Sequence, residues 1–195
     1  MRTALCLLLC LGLVIGGSGC GSDSETSSPE TAPKTSAEAR SGPDFSENPA
    51  PAPKVSMTTL DGRTIELAKQ SGKVVLVNFW ATWCAPCRKE IPDLISLYSD
   101  LQSKGLLIVG VATDDEGTSK VAPFVEKENI NYPIVVDTTG TIESQFEAMY
   151  GLPTTYVINP QGQIVRRILG IFPTDEMRPT IEAMLQDGTA EDEAT

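Results

Sequence analysis

The strongest hydrophobic signal in the chain is a run, not an alternation. Lys73-Val74-Val75-Leu76-Val77-Asn78-Phe79-Trp80 is a nearly continuous apolar run. A strand of that kind is covered on both faces, as the central strand of an α/β sheet is. Leu106 to Val111 repeats the pattern, and Ile134-Val135-Val136 gives a shorter version. Elsewhere the spacing turns helical. Ile91, Leu94, Ile95, Tyr98 and Leu101 predict a helix from about Pro86 to Ser103, stopped at Gly105. Further helices are predicted over Thr118–Glu128, Ile142–Met149 and Asp175–Leu185. Val55–Leu60 and Thr64–Leu67 flank Asp61-Gly62, a hairpin signal. Thr154–Ile158 and Gln163–Leu169 flank Asn159-Pro160-Gln161-Gly162 and predict a second hairpin. No internal repeat is visible. Strands alternating with helices predict an α/β fold with a mixed central sheet flanked by helices.

The two ends follow a different pattern. Arg2 precedes an apolar stretch from Ala4 to Gly17, too short for a spanning helix of about 20 residues. It reads as a secretory signal, residues 1–20. Gly17-Ser18-Gly19-Cys20 resembles the lipobox of bacterial lipoproteins, in which the cysteine is lipidated and becomes the new N-terminus. Gly17 departs from that family's usual leucine. Cys20 is the expected lipid attachment, with a plain cleaved signal or an uncleaved anchor as the alternative. Residues 21–53 are dominated by Ser, Thr, Glu, Pro and Ala and read as a disordered tether. The globular domain is expected over 54–187, and residues 188–195 as a loose acidic tail.

Charge and composition narrow the chemistry. The chain carries 15 basic and 26 acidic residues, net -11, which argues against a nucleic-acid partner. It contains no histidine, which removes the usual general base and the commonest transition-metal and haem ligand. Histidine-dependent hydrolases are excluded. The charge run Asp114-Asp115-Glu116 reads as a solvated loop. Of five cysteines, Cys6, Cys10 and Cys20 belong to the leader. Only Cys84 and Cys87 remain for the domain, so there is no structural disulfide framework.

Those two stand at the junction of the central strand and the following helix, in Trp83-Cys84-Ala85-Pro86-Cys87. The first helical turn has unpaired N–H groups and a positive dipole end, which stabilise a thiolate at Cys84. Pro86 suits that turn because its missing N–H is one of the orphans. Cys87, one turn on, can close a disulfide to Cys84 and be opened again, so Cys84 is the expected nucleophile and Cys87 the resolving thiol. A zinc site is the weaker reading, since no second CxxC and no histidine complete it. A structural bridge across so small a loop would stabilise little. No metal or cofactor is expected.

Phe79-Trp80-Ala81-Thr82-Trp83-Cys84-Ala85-Pro86-Cys87 resembles the active-site signature of thioredoxins, most closely the extracytoplasmic, membrane-anchored TlpA/ResA group. The resemblance covers about Val55 to Leu185. It implies a thioredoxin fold with an N-terminal hairpin and a central insertion over Asp114 to Thr139. It also implies a cis-proline loop at Gly151-Leu152-Pro153-Thr154-Thr155 facing the cysteine pair, where the Leu152 backbone would pair with substrate. An ordinary trans Pro153 is the alternative. Trp83 is expected to present an apolar docking surface and Trp80 to pack in the core or shield the site. The family's aspartate two residues before Trp80 is replaced by Asn78, which cannot take a proton. Glu90, one turn beyond Cys87, is expected to take the proton-handling role, with a solvated helix carboxylate as the alternative.

The resemblance further implies a reductant of protein disulfides, including apocytochromes c, fed by a membrane thiol donor. The protein would be anchored by lipid in the bacterial cell envelope, outside the cytoplasm. A disulfide oxidase or isomerase uses the same residues and differs only in potential. A peroxiredoxin-like antioxidant is disfavoured by the missing PxxxTxxC spacing, since Thr82 lies two residues before Cys84. A thioredoxin-fold scaffold that only recruits partners is disfavoured by the intact cysteine pair.

Overall fold

The structure is a computed structural model. It describes residues 41–44, 49–146 and 150–192, with side chains described over 49–146 and 150–187. In chain order the strands are β1 (Ser41–Asp44), β2 (Ala50–Pro51), β3 (Ser56–Thr58), β4 (Thr64–Glu66), β5 (Val74–Trp80), β6 (Leu106–Ala112), β7 (Ile134–Val136), β8 (Thr154–Ile158) and β9 (Gln163–Leu169). The helices are α1 (Ala85–Leu101), α2 (Thr118–Lys127) and α3 (Thr174–Asp192).

The run 74–80 is buried at every position and lies inside the sheet as β5. It pairs in parallel with β6 on one side and antiparallel with β8 on the other. The sheet order is β1-β9-β8-β5-β6-β7, with β2 also on β9, so the sheet is mixed. The two faces of β5 sort its side chains. Val74 and Leu76 pack with Leu94, Leu97 and Leu101 of α1 and with Ile181 and Leu185 of α3. Val75, Val77 and Phe79 pack on the other face with Met57, Ile65, Phe146 and Tyr156. Each such side chain contributes about 1.5–3 kcal/mol on burial, which is why so apolar a strand belongs in the middle. The hairpin β3–β4 forms its own two-stranded sheet and is joined to β7 by the Leu60 N–H to Ile134 O bond of 2.8 Å.

Three expectations are corrected. Residues 41–44 and 50–51, placed in the disordered tether, pair antiparallel with β9. They add to the sheet edge through backbone hydrogen bonds, as in Ala52 N–H to Gly162 O at 2.9 Å, and need no apolar side chains to do so. In the described part of the helix expected over 142–149, residues 142–146, there is only a single 3₁₀ turn, Glu143–Gln145. The Asp137 carboxylate takes the N–H groups of Thr141, Ile142 and Glu143 at 2.9, 2.8 and 2.9 Å. Phe146 is then extended and lies 5.2 Å from the Phe79 ring and 4.9 Å from Tyr156. Residues 147–149 lie outside the described residues. Finally, the backbone of α3 runs to Asp192, past the expected end at Leu185 and into the expected tail.

Candidate active site

The chain leaves β5 at Trp80 and re-enters helix at Ala85. Cys84 is the N-cap of α1, with extended φ -77° and ψ 108°. Its carbonyl accepts the Arg88 N–H at 3.1 Å, and its Sγ accepts the Cys87 N–H at 3.3 Å. A cysteine therefore stands where Ser, Thr or Asp usually cap a helix, with its sulfur at the N–H-rich end. Cys84 and Cys87 are joined as a disulfide, with Cα atoms 5.3 Å apart. Cys84 retains 5% of its surface and Cys87 none, while Ala85 and Pro86 are exposed beside them.

Beneath the pair is a polar floor. Glu90 follows Cys87 by one turn on the buried face of α1 and has no exposed surface. Its Oε2 accepts the Phe172 N–H at 2.7 Å, and its Oε1 accepts from Asn78 Nδ2 at 2.8 Å. Asn78 also donates to Thr155 Oγ1 at 3.0 Å, tying β5 to β8 under the carboxylate. Burial pushes the Glu90 carboxyl up to about 7, with a smaller upward push from Asp93; the Phe172 and Asn78 donors oppose it. Neither of those donors carries a charge. Tyr132 is buried as well, its hydroxyl pushed upward by burial and then by Glu90. The Tyr132 hydroxyl and the Trp80 indole N–H meet no hydrogen-bond partner among the described residues.

Above the pair is an apolar rim. Trp83 is 66% exposed, whereas Trp80 is buried in the core. The Leu152–Pro153 peptide bond is cis. Thr154 pairs with Phe79 in the β5–β8 ladder, so Pro153 falls opposite Trp80, at the end of β5 from which the cysteine loop departs. Leu152 is half-buried and packs against the cluster that contains both cysteines. Tyr150 is 76% exposed at the entry to this loop, with the Arg167 guanidinium 5.5 Å from its ring centre.

The structure thus brings Cys84, Cys87, Glu90, Trp83, Pro86, Leu152 and Pro153 to one end of the sheet. Cys20 lies outside the described residues. The residues missed from the sequence are Asn78 as a partner of Glu90, Phe172 through its backbone, and Asp114. The expectation for Asp114 is corrected: Asp115 and Glu116 are exposed, but Asp114 is fully buried, with Thr82 hydrogen-bonded to it. Buried beside the loop before Cys84, it cannot be told by composition from its solvated neighbours. Among the described residues, no group of three or more His, Cys, Asp or Glu could hold a metal ion, and no helix is long and apolar enough to cross a membrane.

Residues 49–167 match the AhpC/TSA family. The chain is 38% identical over 121 residues to the thiol-disulfide oxidoreductase ResA of Bacillus subtilis (strain 168), covering 61% of this chain and 65% of that one. It is 33% identical over 135 residues to a ResA of Bacillus cereus, covering 69% of this chain and 75% of that one. Its fold matches the crystal structure of a thiol:disulfide interchange protein of the thioredoxin family from Chlorobium tepidum TLS with a TM-score of 0.63 and 33% identity, over 70% of this chain and 97% of that one. With a cysteine pair capping α1, a buried carboxylate beneath it and a cis-proline beside it, the chain belongs to the AhpC/TSA family and, within it, to the thioredoxin-fold thiol–disulfide oxidoreductases related to ResA.

Proposed function

We propose that the protein is an extracytoplasmic reductant of protein disulfides, held to the membrane through Cys20 and working through Cys84 and Cys87. The observation that carries the proposal is the disulfide pair itself: Cys84 at the N-cap with 5% of its surface open, Cys87 sealed behind it. In the reduced protein the Cys84 thiolate attacks one sulfur of a substrate disulfide and releases the other as a thiolate. Cys87 then attacks Cys84, the Cys84–Cys87 disulfide closes, and the second substrate sulfur leaves. Two electrons pass to the substrate. Glu90 is the proposed acceptor of the Cys87 proton, because it lies one turn beyond Cys87 on the buried face of α1 and burial raises its carboxyl to about 7, so its carboxylate form takes up a proton near neutral pH. Trp83, Pro86, Leu152 and Pro153 form the surface on which the substrate chain rests.

The resemblance to the TlpA/ResA group supports the reducing direction, and with it apocytochrome c as substrate and a membrane thiol as donor. The names of the relatives, oxidoreductase and interchange protein, fit either direction. The reduction potential of the pair decides. A value near about -270 mV is expected; one near about -120 mV would make the protein a disulfide-forming catalyst instead. Membrane retention of the Cys20→Ser variant is expected to be lost, and unchanged retention would refute lipid anchoring at that residue.

A further inference from the structure

The exchange reaction written above has no use for Asp114, yet this carboxylate has no exposed surface. It follows β6 by two residues. Its oxygens accept the Thr82 backbone N–H at 3.2 and 3.0 Å, and Oδ1 also accepts the Thr82 hydroxyl. Its carbonyl accepts the Gly117 N–H at 3.0 Å, and the preceding Thr113 N–H goes to Trp80 O at 2.9 Å. Trp80 and Thr82 are therefore both gripped by the end of β6, with Ala81 between them. Thr82 stands two residues before Cys84, and Cys84 N–H bonds back to Ala81 O at 3.1 Å. A buried carboxylate is costly to hold, and a neutral acceptor could tie down one N–H at lower cost.

We propose that Asp114 is a positioning residue that fixes the Ala81-Thr82-Trp83 connection and sets the redox balance of the pair by placing a negative charge one hydrogen bond from the loop that carries Cys84. A like charge disfavours the thiolate. That destabilises the reduced form and makes the pair more reducing. The other charged or titratable side chains here are, on α1, the buried Glu90, the half-buried Tyr98 and the exposed Arg88, Lys89, Asp93 and Asp100; after β6, the exposed Asp115 and Glu116; and before β7, the buried Tyr132. The inference rests on the thiol–disulfide reading of Cys84 and Cys87.

The test compares wild type, Asp114→Asn and Thr82→Val in the full chain. Each is equilibrated in glutathione buffers, and the state of Cys84 and Cys87 is read peptide by peptide by mass spectrometry, with thermal melting as a fold control. Asp114→Asn keeps the shape and an acceptor for the Thr82 N–H but removes the charge. Its equilibrium is expected to move about tenfold toward the dithiol, about 30 mV less negative, with alkylation of Cys84 persisting to lower pH. Thr82→Val leaves the charge with one donor fewer and is expected to shift both readouts the other way by a smaller factor. A folded Asp114→Asn protein with the wild-type potential and alkylation profile, changed only in melting temperature, overturns the proposal. If Asp114→Asn does not fold, an unshifted Thr82→Val overturns it and a more reducing one sustains it. A wild-type pair that does not cycle between dithiol and disulfide removes the underlying reading and this inference together; a cycling wild type with an unshifted folded Asp114→Asn removes this one alone.

Discussion

The two sides of the cysteine pair are built from opposite materials. Above it, Trp83 and Tyr150 stand in solvent. Below it, Glu90, Asn78 and Thr155 are sealed and joined to each other, and Glu90 also reaches the backbone at Phe172. Trp83 and Tyr150 contribute little to folding because each keeps about two thirds or more of its surface in water in the native state. In the floor, chemistry and stability are the same interactions: a carboxyl kept near neutrality is a carboxyl whose ionisation the fold resists. A change at the rim should alter what is bound, whereas a change in the floor should alter how well the protein holds together and at what pH.

The largest effect expected is at the pair. Cys87→Ser should abolish turnover of a disulfide substrate and leave Cys84 trapped in the mixed disulfide, visible as a covalent adduct on a non-reducing gel. Next comes Glu90. Its carboxyl is raised from 4.5 to about 7 in the folded state, so its contribution is fully present below pH 4.5 and is lost as pH rises to about 7, levelling off above. Oxidised wild type should lose about 3 kcal/mol of unfolding free energy across that window. Glu90→Gln should be nearly flat there, as read by urea melts at each pH. A wild type without this slope would break the comparison from the floor side.

Gly110→Ala tests how tightly the floor is packed. An added Cβ would meet Ile134 Cδ1 at 2.7 Å, Trp80 Nε1 at 3.0 Å and Tyr132 Cε2 at 3.1 Å. Overpacking of this kind costs about 1–3 kcal/mol, measurable by denaturant melts. The smallest stability effect should come from Trp83→Ala: unfolding free energy within about 0.5 kcal/mol of wild type, with kcat/KM for a protein disulfide reduced about tenfold and little change for a small disulfide. A large loss of stability in Trp83→Ala would erase the distinction between rim and floor.

The sheet and the cysteine pair were legible because the signals that place them are strong and local. An uninterrupted apolar run reads as a central strand, and a CxxC at its end reads as a reactive helix cap. What stayed hidden depends on contacts that leave no local pattern. β1 and β2 join the sheet through backbone groups, which any polar segment possesses. Asp137 accepts three successive N–H groups at the start of the turn Glu143–Gln145, and the chain is extended by Phe146, against the helical spacing that begins at Ile142. Asp114 looks like Asp115 and Glu116 in sequence and differs only in lying against the Thr82 N–H. Glu90 could be singled out by its distance from Cys87, but its partners Asn78 and Phe172 are supplied by other elements.

The hydrogen bond from Phe172 to Glu90 spans 82 positions of the chain, and that from Asn78 to Thr155 spans 77. During synthesis from the N-terminus, Asn78 and both cysteines therefore exist long before Thr155 and Phe172, the other two groups of that network. Until β8 and the approach to α3 arrive, the thiols are present without their carboxylate cage. If Glu90 takes the Cys87 proton as proposed, a chain halted before Phe172 carries both sulfurs with that carboxylate still lacking one of its two donors.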